Sequence, residues 1–177
     1  MKLNAIASAF IMTMGLVSSS VYAAEEGSGK VTFTGSIIDA ACSINPDSSD
    51  QEVNLGQIAA SQLADNGVST PRNFEINLEN CALNDDGTAP SVKVTFGGSK
   101  AVENDDTWFG ITGTANGAGI VITDGSSNII PVGGTSTARE LIEGNNTLGF
   151  SAYLQGLGGD ITTGEFQSIA DFTLAYE

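Results

Sequence analysis

The stretch KVTFTGSIIDAAC, residues 30–42, decides how this chain is read. In an extended chain successive side chains point to opposite faces. Val31, Phe33, Gly35 and Ile37 therefore share one face, and Thr32, Thr34 and Ser36 share the other. A glycine inside an apolar strand face weakens the strand, because it adds entropy to the unfolded chain and packs against nothing. Gly35 marks either a bulge in the first strand of a domain or a site where the opposing surface is too shallow for a β-carbon. On pattern alone both readings stand.

What precedes the row is not part of a fold. Met1-Lys2 gives a short positive end. Ile6, Phe10, Ile11, Met12, Leu16 and Val17 follow in an apolar run, and Val21-Tyr22-Ala23 closes it with a small residue. This is the pattern of a secretory signal peptide, residues 1–23, cut after Ala23. A membrane anchor is the weaker alternative, since the apolar core is short and diluted by Ser18, Ser19 and Ser20. Residues 24–29, AEEGSG, are small, polar and flexible. The mature chain, residues 24–177, is long enough for one domain with a sizeable core.

Period-2 alternation recurs downstream. In RNFEINLENC, residues 72–81, Phe74, Ile76 and Leu78 face one way and Glu75, Asn77 and Glu79 the other. Val92, Val94 and Phe96 form a second row. Residues 119–123 and 146–154 read as strands, and Phe172, Leu174 and Tyr176 close the chain in a last one. Residues 52–55, 108–111 and 129–132 suggest shorter strands, the last an edge because of Pro131. Residues 45–50 read as a turn-rich linker, and residues 97–106, 114–119 and 156–164 as loops. Residues 58–63 have helical spacing for one or two turns, stopped at Asp65-Asn66-Gly67. Many short strands, turn residues between them and almost no helix predict an all-β sandwich.

The composition excludes most chemistry. Six basic against 21 acidic residues leave a formal charge of −15, which repels phosphate backbones and argues against nucleic acid. With no histidine, neither a Ser-His-Asp nor a Cys-His arrangement can be built. The two cysteines alone cannot complete a tetrahedral zinc site. The acid pairs Asp85-Asp86 and Asp105-Asp106 could serve a glycosidase, but both lie in turn-like segments and read as solvated loops. Gly117-Ala118-Gly119 and Gly156-Leu157-Gly158-Gly159 lack the Lys-Ser/Thr ending of a phosphate loop. Trp108 and Phe109 read as core anchors, with an exposed sugar-stacking surface as the alternative. No catalytic residue, metal or cofactor is expected. Cys42 and Cys81, an even pair in an exported chain, are expected to form one disulfide, worth about 4 kcal/mol by loop entropy.

Beyond the fold class, an ordered set of short elements carries a resemblance. Phe33-Thr34-Gly35-Ser36-Ile37-Ile38-Asp39-Ala40-Ala41-Cys42 comes first, then Val53-Asn54-Leu55-Gly56-Gln57-Ile58, then Asn73 to Cys81. Asn145-Asn146-Thr147-Leu148 with Phe150 follows, and the chain closes on Ala170-Asp171-Phe172-Thr173-Leu174-Ala175-Tyr176-Glu177. In this order the mature chain resembles the major structural pilins of bacterial chaperone–usher fimbriae, the type 1-like group. From about residue 97 to 137 it matches only in texture.

The resemblance implies an immunoglobulin-like sandwich that lacks its last strand and is completed in trans. Residues 24–39 would be a donor-strand arm and residues 40–177 the pilin domain. Val31, Phe33, Gly35, Ile37 and Asp39 would then plug the groove of a neighbouring subunit. Phe33 would fill the pocket engaged first and Ile37 a deeper part of the groove. Gly35 would sit where the groove is shallow, and Asp39 at its open end. Phe172, Leu174, Tyr176 and Glu177 would form the edge to which a periplasmic chaperone adds a strand. The implied partners are further copies of the chain, the chaperone, an outer-membrane usher and adaptor or adhesin subunits. The implied place is a fimbria on the cell surface. Two alternatives stay open: a minor adaptor of the same kind of fibre, and a monomeric secreted carbohydrate-binding module.

Overall fold

The computed structural model describes residues 29–84, 86–101 and 107–177. The signal segment, the first residues of the arm, Asp85 and the Asp105-Asp106 pair lie outside the described residues. The chain divides into two units, Met1–Ile37 and Ile38–Glu177. In the first, residues 29–37 form no regular element, and Val31, Phe33 and Ile37 are exposed.

The second unit is built from strands, two single α-helical turns and a 3₁₀ turn at Ala64–Asn66. In chain order the strands and α-helical turns are β1 (Ser43–Ile44), α1 (Pro46–Ser49), α2 (Ala60–Leu63), β2 (Arg72–Cys81), β3 (Ser91–Gly98), β4 (Phe109–Gly110) and β5 (Thr112–Gly113). Then come β6 (Ala118–Asp124), β7 (Ile129–Ile130), β8 (Arg139–Glu140), β9 (Gly144–Gly156), β10 (Phe166–Gln167) and β11 (Ala170–Tyr176). One sheet runs β1-β2-β9-β6-β4, with β7 added to β6. The other runs β11-β3-β8, and β10 pairs with β5 in a small third sheet. All pairings are antiparallel.

The core follows from the alternation. Ile76 and Leu78 of β2, Val92, Val94 and Phe96 of β3, and Leu148, Phe150, Ala152 and Leu154 of β9 all point inward and are buried. Phe74 stacks on Phe150 at 5.5 Å between ring centroids, and Phe96 from the opposite sheet meets Phe150 edge-on at 5.1 Å. Such offset and edge-on pairs add about 0.5–1.5 kcal/mol each beyond area burial, so this trio ties the two sheets together.

Several local expectations change. The 45–50 linker contains α1, where the Asn45 side chain accepts the backbone N–H of Asp47 and Pro46 opens the helix, as helix starts favour. Residues 52–55 are not a strand, although Val53 and Leu55 are half-buried and their neighbours exposed. The alternation is present but a pairing strand is not. Strict period 2 also breaks in β2. A bulge between Leu78 and Cys81 puts Asn80 at φ 52°, and Cys81 turns inward and bonds to Cys42. Asparagine tolerates the left-handed region better than most residues. The β5–β10 pair, β1 and β8 are too short to show any period in sequence. Phe109 is fully buried as expected for an anchor, but its neighbour Trp108 is only half-buried.

Candidate functional site: an open groove and an unpaired edge

Among the described residues, every buried side-chain nitrogen and oxygen has a hydrogen-bond partner. The buried polar side chains of the sandwich are thus satisfied. Its apolar side is not. A groove of about 1310 Å³ opens between the sheets, floored by Phe74, Phe96, Phe109, Ile120, Leu154 and Phe172. One rim is formed by residues 48–58, the other by residues 161–172. Phe74 and Phe172 are only half-buried there and forgo part of the roughly 1.5–3 kcal/mol that fully burying a large side chain is worth.

β11 borders the groove as a terminal strand of its sheet, paired only to β3. Which of its backbone groups are free can be read from the register. Glu177 and Ser91 exchange both backbone hydrogen bonds, each at 2.9 Å. In an antiparallel ladder such exchanging pairs alternate with non-exchanging ones. Ala175, Thr173 and Asp171, opposite Lys93, Thr95 and Gly97, therefore bond to β3. The N–H and C=O groups of Ala170, Phe172, Leu174 and Tyr176 point away from it. The half-buried side chains of Phe172, Leu174 and Tyr176 pack against the core. The same residues thus present apolar side chains inward and unpaired backbone groups sideways. Burial also pushes the Tyr176 phenol up from its ordinary pKa.

The opposite rim pairs with no strand either. Among the described residues, no backbone–backbone hydrogen bond involves residues 51–58. Two unpaired edges on either side of an apolar trough define a slot for one extended strand.

Two further features brace the sandwich. The Cys42–Cys81 disulfide closes 39 positions of chain and ties the start of the domain to β2. At the turn after β6, the buried Asp124 carboxylate accepts hydrogen bonds from the backbone N–H groups of Ser126 and Asn128 and from the Thr137 hydroxyl. Thr137 lies in the segment between Ser136, which bonds Val94, and β8, so one carboxylate joins the two sheets. Burial pushes Asp124 up, but the hydrogen bonds from Thr137, Asn128 and Ser126 outweigh it and hold the group at about 2. Sequence reading missed Asp124, which looks like any turn aspartate. Its distant partner Thr137 carries no local signal.

The predicted arm residues Val31, Phe33, Gly35, Ile37 and Asp39 are all exposed. Phe33 and Ile37 are 90% and 104% exposed, and a β-carbon added at Gly35 meets no atom within 4 Å. No group of three or more metal-ligating side chains occurs among the described residues.

An antiparallel immunoglobulin-like sandwich that is open along one strand position is the form of a donor-strand-completed pilin. The chain matches the family model described as fimbrial protein over residues 31–177 and belongs to that family. It is 51% identical to the fimbria A protein of Serratia marcescens and 45% identical to the major MR/P fimbria protein of Proteus mirabilis strain HI4320, in each case over 100% of both chains. The P pilus rod subunit PapA superposes with a TM-score of 0.69 at 31% identity, covering 78% of this chain and 100% of that one. A chaperone–usher pilus studied for rod uncoiling superposes at 0.75 with 32% identity, covering 86% and 97%. The chain is a major structural pilin, a subunit that polymerises by donor-strand exchange into a fimbrial rod. It is a structural protein and not an enzyme, assembled through the chaperone–usher pathway and displayed at the cell surface after periplasmic export.

Proposed function

We propose that residues 24–39 are the donor arm of this pilin and that Val31, Phe33, Gly35 and Ile37 fill the groove of the neighbouring copy. The observation that carries the reading is the pairing of a deficit with a surplus. The groove beside β11 lacks one strand with apolar side chains on one face, and the arm carries such a row, with Val31, Phe33 and Ile37 exposed. Main-chain bonds to β11 would supply affinity, and alternate side chains would supply register. A periplasmic chaperone occupies the slot first, recognising Phe172, Leu174, Tyr176 and Glu177. An outer-membrane usher then hands the subunit to the growing fibre, whose far end carries adaptor or adhesin subunits. Export requires removal of residues 1–23, which leaves the arm as the free start of the mature chain.

Deleting residues 24–39 tests this. The truncated subunit, purified in complex with its chaperone, is expected to accept a synthetic arm peptide yet form no fibres in light scattering or electron microscopy. The full mature chain should polymerise. Equal polymerisation with and without the arm refutes the proposal.

A further inference from the structure

We propose that Lys30 is a register-setting residue, placed against the Glu177 side chain of the neighbouring copy when the arm enters. The inference rests on the donor-arm reading and adds a charged contact to it.

Side chains of directly opposed residues in adjacent strands lie on the same face. The arm row Val31, Phe33, Gly35, Ile37 must therefore oppose the inward row Ala170, Phe172, Leu174, Tyr176. One antiparallel alignment sets Gly35 against Phe172, Ile37 against Ala170, Phe33 against Leu174 and Val31 against Tyr176. The smallest arm residue then meets the large ring that borders the groove, and a large arm residue meets the smallest residue of β11. Sliding by two residues one way opposes Phe33 to Phe172 and leaves Gly35 facing Ala170, which crowds one site and empties the next. Sliding the other way opposes Ile37 to Phe172 and Phe33 to Tyr176. The parallel direction also opposes Phe33 to Phe172, and Ile37 to Tyr176. Close packing penalises both crowding and voids.

Charge selects the same alignment independently. Lys30 falls opposite Glu177, and both lie on the outward face. The Glu177 carboxylate is already held by Lys93, with both oxygens 2.7 Å from its ammonium. A carboxylate offers about four lone-pair sites, so it can accept a second cation. Lys93–Glu177–Lys30 then forms a three-charge row across β3, β11 and the arm. In the parallel direction this contact is lost and Ile38 falls opposite Glu177 instead.

The backbone supplies the test. Because Phe172, Leu174 and Tyr176 direct their hydrogen bonds toward the arm, the intervening pairs are non-hydrogen-bonded ones, with Cα atoms roughly 4.5 Å apart. That spacing suits a disulfide. Full-length chain carrying Thr34→Cys with Thr173→Cys is assembled into fibres and mildly oxidised. The expected product is a covalent ladder of multimers on non-reducing gels. Thr32→Cys with Asp171→Cys, which the parallel alignment would oppose, should give no ladder. Fibres in which the second pair links, or in which neither does, overturn the register. Absence of fibres, or a link confined within monomers, would instead refute the donor-arm reading and the inference with it. For the charge itself, a Lys30→Glu arm peptide should displace the chaperone about tenfold more slowly than the native peptide at low salt, with the gap narrowing at high salt. A Lys30→Glu peptide as fast as the native one at low salt overturns the role of Lys30.

Discussion

At the scale of single residues, Gly35 and Asp124 differ in where their constraint lies. Neither crowding nor a left-handed backbone requires a glycine at position 35 of the isolated copy, which supports the proposal that the groove of a neighbouring copy requires it. Overpacking a fitted site costs about 1–3 kcal/mol. Arm peptides with Gly35→Leu should exchange with the chaperone far more slowly than native, while Thr34→Val, on the outward face, changes little. A time course of displacement decides it, and a fast Gly35→Leu peptide with a slow Thr34→Val one would show the faces reversed. Asp124 is held at about 2, below its ordinary value of 3.8. A depressed carboxylate stabilises the fold fully above its unfolded pKa and loses that contribution as pH falls through the folded one. Asp124→Asn should therefore cost about 2 kcal/mol at neutral pH. In thermal melts of fibres the gap from the native protein should close as pH falls from 4 toward about 2. A gap that is constant across that window would show that the charge is not what matters.

Strands come next. β11 has two edges with different duties, and proline separates them because it removes one N–H. The Thr173 N–H belongs to the ladder with β3, whereas the Leu174 N–H points to the slot. Thr173→Pro should lower the yield of exported subunit. Leu174→Pro should spare more of the subunit but strongly weaken strand addition, read as the amount of arm peptide retained after chaperone displacement. The reverse ranking would place the free groups on the wrong residues. Residues 51–55 belong to the same account. Their half-buried Val53 and Leu55 show strand periodicity without strand bonding, as expected of a segment whose neighbour is supplied from outside.

The whole molecule is a sandwich whose stability is shared between copies. Among the described residues its buried polar side chains are satisfied internally, but an open apolar trough runs between the sheets beside unpaired backbone edges. A free subunit in that state is marginal and aggregation-prone, so any internal restraint matters most before the slot is filled. Replacing Cys42 or Cys81 by Ser removes the link that spans 39 positions. The expected cost is about 2–5 kcal/mol, seen as a severe loss of chaperone-bound subunit in periplasmic extracts. Fibres that do form should be less affected, because the donor strand stabilises them. An unchanged yield of the Ser variants would show that the disulfide is dispensable during assembly. Membership of the fimbrial family also displaces the monomeric carbohydrate-binding reading, and the half-buried Trp108 needs no sugar to account for it.

Sequence alone determined the long strands, the excluded chemistries and the ordered motifs of a pilin. These depend on local periodicity, composition and short spacings. β2, β3, β9 and β11 each repeat apolar residues at every second position, a pattern that survives without a partner. Tertiary structure decided what depends on residues far apart in the chain. The bulge at Asn80 reverses the face of Cys81, and the Asp124–Thr137 link joins two sheets. The direction of free backbone groups on β11 follows from a single exchange between Ser91 and Glu177. The groove itself is an absence between two sheets, and side-chain period cannot show which neighbouring strand is missing, because pairing is set by the whole fold.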